Sequence, residues 1–180
     1  MFRKTLFASL VVAAAVALTL TAADEKKAEP KKSAAGPLQP QMEPEGGWDK
    51  AMGTFGEKPS ETWTATTVGA GVDKKPLTGK IATVTGEVID LSCYLQLGKH
   101  GEKHKACGQK CLAAGQPIGL LTKDGNIYML MEEEHDPRRD GQTELRKAAG
   151  DHFAHVMEVT GTETTVRGVR AIFVQGFVKK

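Results

Sequence analysis

The sequence predicts a mostly β domain, a small five-stranded barrel with one short helix between its third and fourth strands, and three observations predict it. Five apolar runs of strand length and one helical run follow residue 79 in the order three strands, helix, two strands. Lys123-Asp124-Gly125 sits between two of the runs, and Asp-Gly in that position signals a hairpin. Val84-Thr85-Gly86 recurs as Val159-Thr160-Gly161, which puts a glycine inside two long strands where a small barrel must bend.

The elements follow in chain order. Residues 1–23 read as a secretory signal, with Arg3 and Lys4 as the charged start, Leu6 to Leu20 as the apolar run and Thr21-Ala22-Ala23 offering small residues for cleavage. The apolar run, about 15 residues long, is shorter than the 20 or so that a membrane-spanning helix needs. No cysteine follows it, which counts against a lipoprotein. Residues 24–78 are rich in Lys, Glu, Pro and Gly and poor in branched apolar residues, so they read as a flexible tether. Trp48, Phe55 and Trp63 interrupt that composition and are expected to make only transient contacts, a short segment docking on the domain or on a partner being the alternative.

The domain proper is placed at residues 79–180. Ile81 to Leu91 is rich in β-branched residues and forms strand one. Pro117 to Thr122 and Asn126 to Met131 are strands two and three. The charged stretch from Glu132 to Asp140, with Pro137, reads as a loop. Thr143 to Ala149 forms a short helix that turns Leu145, Ala148 and Ala149 to the core, with Gly150 as its stop. His155 to Glu163 and Val169 to Val178 are strands four and five, joined by a turn at Arg167-Gly168. This is the element order of the OB barrel, with a helical Cys/His insertion between strands one and two. A plain antiparallel sheet with one helix is the alternative.

Val84-Thr-Gly-Glu-Val-Ile-Asp-Leu-Ser-Cys-Tyr94, Gly98-Lys-His-Gly-Glu-Lys-His104, Cys107-Gly-Gln-Lys-Cys111 and Gly115-Gln-Pro-Ile-Gly119 are the most distinctive stretches. Together they resemble a family of secreted bacterial proteins with an OB-fold-like domain and a D-L-S-C-Y…H…C-x3-C motif. The resemblance spans about residues 80 to 178 and implies export, a small β-barrel and a shared Cys/His site. It brings no activity with it.

All three cysteines, Cys93, Cys107 and Cys111, and two of the five histidines, His100 and His104, fall inside that insertion. If residues 102–114 are helical, His104, Cys107 and Cys111 lie at i, i+3 and i+7 on one face. Cys93, at the end of strand one, is then within reach of that face. Cys93, His104, Cys107 and Cys111 make a set of the kind that encloses one transition metal ion, zinc ahead of copper, with His100 as a spare ligand and Asp90 orienting the set from behind.

Two other readings stay open. In an exported protein a disulfide from Cys93 to Cys107 or Cys111 leaves one free thiol. Alternatively, Lys99, Lys103, Lys105 and Lys110 lower a thiol pKa, and Cys107 or Cys111 acts as a redox nucleophile. Thiolates also select Cu(I), so periplasmic copper handling is a further alternative.

Removing residues 1–23 takes Arg3 and Lys4 from the 24 basic residues and none from the 22 acidic ones, leaving 22 of each. A chain of zero net charge lacks the basic excess that phosphate-backbone binding requires, which argues against nucleic acid. His135, His152 and His155 with Glu132, Glu133, Glu134 and Asp136 read as ordinary loop polarity, and Met129 and Met131 as core packing. The expected protein is exported, periplasmic or extracellular, without a membrane span after cleavage. It is an accessory or binding protein rather than an enzyme, with an unidentified protein or small ligand as partner.

Overall fold

The computed structural model describes residues 42–133 and 143–176; the signal at 1–23, the start of the tether and the loop around Pro137 lie outside them. The elements run β1 (Thr54–Phe55), α1 (Ala65–Ala70), β2 (Lys80–Asp90), α2 (Leu91–Leu97), α3 (Lys105–Ala113), β3 (Ile118–Leu121), β4 (Ile127–Glu132), α4 (Glu144–Asp151), β5 (Val156–Val166) and β6 (Val169–Val174). Short 3₁₀ turns occupy Val72–Lys74 and Glu102–His104.

The sheet order β5-β2-β3-β4-β6 closes on itself because β6 also pairs with β5. Closure excludes the open antiparallel sheet and gives a five-stranded barrel of the OB type, with β1 added in parallel against β5. The β4 and β6 pair is parallel, Leu130 standing opposite Ile172, whereas the β3 and β4 hairpin turns at the predicted Asp-Gly.

The glycine echo marks close approach of strands. A Cβ on Gly161 would lie 2.2 Å from the Phe173 carbonyl oxygen, and one on Gly86 would lie 2.6 Å from that of Leu121. At Gly161 the same residue faces Ala82 of β2 and Val174 of β6, so β5 there passes from one partner to the other.

The core gathers Val88, Leu112, Leu120, Leu130, Leu145, Phe153, Met157, Val159 and Ile172. α4 contributes Leu145 and Ala149, and its start is capped by the Thr143 side chain accepting from Arg146 N–H. Gly150 lies inside this helix and does not stop it; the end falls at His152. Along β4, Leu130 alone is buried while Met129 and Met131 are half-exposed on the other face.

From Met42 onward the expected tether is not a tether. Phe55 is 2 % exposed and belongs to the core. Met52 N–H donates to Val156 O, Glu158 N–H to Gly53 O and Glu57 N–H to Gln175 O, so the segment is stitched to β5 and to the end of β6. Trp63 packs edge-to-face on Phe173, at 5.2 Å between ring centroids, and its indole N–H donates to Leu77 O. Composition misled because three aromatic rings and backbone hydrogen bonds to a strand supply the anchoring that branched apolar residues supply elsewhere. No helix among the described residues is long and apolar enough to cross a membrane.

Candidate metal centre

β2 changes character along its length. Its first half is open to solvent on one face, but Gly86 to Asp90 are all buried because α3 and the barrel enclose that end. Asp90 is the last residue of β2, opposite Ile118 of β3, and is also the N-cap of α2. Its Oδ1 accepts from Ser92 N–H at 2.9 Å and from Cys93 N–H at 3.4 Å, satisfying helix-start donors. Its Oδ2 is buried without a hydrogen-bond partner.

Capping fixes Cys93 in the first turn of α2. α2 ends at Gly98, whose φ of 66° turns the chain back toward the barrel. α3 then crosses the core with Gly108 pressed on Phe153, a contact so close that a Cβ would lie 1.9 Å from the ring. That approach brings Cys111 to the end of β2. The result is a trio in which a carboxylate oxygen of Asp90 and the sulfurs of Cys93 and Cys111 all lie within 4.8 Å of one another. Among the described residues, no other grouping of three or more His, Cys, Asp and Glu side chains has that geometry.

Of the residues anticipated from sequence, the structure brings Cys93 and Cys111 together and puts Asp90, expected behind the set, in the same 4.8 Å grouping. Cys107 is exposed and stands outside the trio. His104, at the end of the 3₁₀ turn, packs edge-to-face on Phe153 with a centroid separation of 6.0 Å. It is not one of the trio, yet its Nε2 is buried with no hydrogen-bond partner. Burial holds its imidazole below the usual pKa range, so at neutral pH it is the uncharged form that binds metals. His100 is engaged elsewhere: its Nδ1 lies 2.7 Å from Glu87 Oε2.

The electrostatics run against a lysine-activated thiol. Burial first, and then the Asp90 carboxylate, push the Cys111 thiol up to about 12. Asp90 first, and then burial, raise Cys93. Lys99, Lys103 and Lys110 are exposed and Lys105 is bound to Glu45, so no lysine sits against these sulfurs to draw them toward thiolate. Two thiols that lose protons reluctantly stand beside a carboxylate whose Oδ2 has no hydrogen-bond partner. A cation is the partner that relieves all of them, since it binds thiolate and carboxylate alike.

Sequence reasoning passed over Glu87, which is fully buried and accepts from Gly101 N–H at 2.6 Å as well as meeting His100. Its signal was available: a glutamate inside the run Val84 to Leu91 needs a partner once both faces are covered. His152 and His155 do cluster, with Nδ1 atoms 3.1 Å apart, but with Lys105 and Glu45 as the other members. His135, Glu134 and Asp136 lie outside the described residues. A scan against protein-family models and searches of curated proteins and of solved structures return no match to this chain.

Proposed function

We propose that the chain is an exported metal-binding accessory protein, in which Asp90, Cys93 and Cys111 hold one transition metal ion that fastens the α2 and α3 insertion to the barrel. The observation that carries this reading is the meeting of an Asp90 carboxylate oxygen with the sulfurs of Cys93 and Cys111, all within 4.8 Å of one another, in a carboxylate whose Oδ2 is buried with no hydrogen-bond partner. Buried polar atoms of this kind are rare unless something binds them. His104 is the proposed fourth ligand, on the strength of its own unpartnered Nε2. Cys107, one turn before Cys111 on α3, is the proposed route by which the ion arrives and leaves.

Zinc is preferred to copper. A site of two sulfurs, one carboxylate and one imidazole suits a borderline ion in tetrahedral geometry, whereas Cu(I) favours sulfur-rich sets. The role is structural, because a ligand set that closes around the ion leaves no position for substrate. The barrel face is then free for a protein or small-ligand partner.

Native mass spectrometry with elemental analysis and a thiol count tests the proposal. One zinc per chain with three reduced thiols is the expected result, with Asp90→Asn and Cys111→Ser each weakening zinc binding by about tenfold or more. Copper in the same place would convert the reading to copper handling. Metal-free protein carrying a Cys93 to Cys111 disulfide would overturn it.

A further inference from the structure

The Gly98-Lys-His-Gly-Glu-Lys-His104 run has a second surface, of which the metal reading uses only His104. Lys99, His100, Lys103 and His104 line a cleft of about 150 Å³, and Met42 closes its far side. Two things hold the cleft in shape. Gly101, with φ +79°, sits so close beneath residues 42 and 43 that a Cβ would lie 2.7 Å from the Glu43 carbonyl oxygen, and Glu102 N–H donates to that same oxygen at 2.9 Å. Below them, buried Glu87 fixes both the Gly101 backbone and the His100 ring.

Its charge is one-sided. No carboxylate lines the cleft. Glu43 is turned to the Trp48 indole N–H at 2.9 Å, and Glu87 is spent on His100 and Gly101 beneath the floor. Neither Lys99 nor Lys103 has an ion-pair partner among the described residues. Because His100 gives its Nδ1 edge to Glu87, Nε2 is the ring's remaining polar atom. His104 supplies wall rather than a contact, since its Nε2 is buried.

We infer that this cleft is a binding site for a small tetrahedral oxyanion, phosphate in class, held by Lys99, Lys103 and the Nε2 edge of His100. The volume decides the size of ligand: it amounts to about five water molecules, well below the several hundred Å³ of a drug-sized pocket. A cation is excluded by two lysines with no ion-pair partner among the described residues, and an apolar ligand by those lysines and the polar edge of His100 among five lining residues. The inference stands apart from the metal reading, because its contacts, Lys99, Lys103 and His100 Nε2, include none of the proposed metal ligands, and His104 is shared only as wall.

The test is a titration of the isotope-labelled protein with inorganic phosphate at constant ionic strength, followed by amide NMR shifts and run both with and without prior chelation of metal. Saturable shifts confined to residues 42–43 and 98–104 are expected. Affinity should fall about tenfold or more in a Lys99→Ala/Lys103→Ala double variant and hold in a Lys58→Ala/Lys74→Ala variant of equal charge loss. A parallel titration with vesicles containing phosphatidic acid assigns the natural anion: tight vesicle binding lost in the first variant places it on a lipid, and phosphate binding alone places it on a soluble molecule. Shifts spread over all surface lysines, equal in both variants and erased by moderate salt, would overturn the site.

Discussion

Gly108 shows how much of the centre rests on a single missing side chain. Glycine inside a helix costs about 1 kcal/mol relative to alanine, yet here alanine would drive a methyl group into the Phe153 ring. Gly108→Ala should therefore reverse the usual propensity gain and destabilise by about 1–3 kcal/mol, read as a lowered urea midpoint. It should also displace Cys111 from Asp90 and weaken metal binding in step. His152 carries a second test at this scale. Burial, followed by the neighbouring His155, lowers its pKa from the usual 6.5, so the folded state resists protonation that the unfolded chain accepts. Stability is then whole above pH 6.5 and falls as pH drops through the lowered folded value, with Glu45, depressed by Lys105 and His155, acting in the same direction further down. Urea midpoints between pH 7.5 and 5 should show that slope. His152→Gln should remove part of it, leaving the part due to His104, whose pKa burial also lowers.

Among the elements, α2 and α3 are the pair that the proposed ion would fasten. They carry little apolar surface of their own: Leu91, Leu112 and Gly108 are their buried residues, while Leu95 and Leu97 are exposed. Chelation should raise hydrogen exchange across residues 91–113 well before the barrel strands respond, and equal loss of protection everywhere would refute a local fastening role. The segment from Met42 to Phe55 is anchored differently. Phe55→Ala removes a ring at 2 % exposure and should cost about 3–5 kcal/mol, measurable by denaturant unfolding. These two elements also mark the limits of what the residues disclosed beforehand. The clustered Cys and His pointed to the stretch where Asp90, Cys93 and Cys111 come together, because soft ligands are scarce and their grouping survives any error in local geometry. Whether Asp90 orients or ligates was not legible, because a carboxylate at a strand end looks the same whether it caps, orients or ligates. The docking of residues 42–57 was only hinted at by Trp48 and Phe55, because much of it is written in backbone hydrogen bonds to β5, which side-chain composition does not encode.

At the scale of the whole molecule, the barrel was the most legible feature, since five strands and one helix in fixed order admit few closed arrangements. What the order could not convey is how tightly the barrel shuts. Phe173 O approaches so near Gly161 that even alanine there would collide with backbone, which no flexible side chain can relieve. That seam has a kinetic consequence. β6, the last strand in the described chain, is the one piece that bridges β4 and β5. Until it arrives, both neighbours present open edges that invite sticking to other molecules, and the nascent polypeptide stays an unsealed ribbon. Closure therefore waits on residues 169–174, and a chain cut before them would be a species prone to clumping rather than a partly finished cylinder.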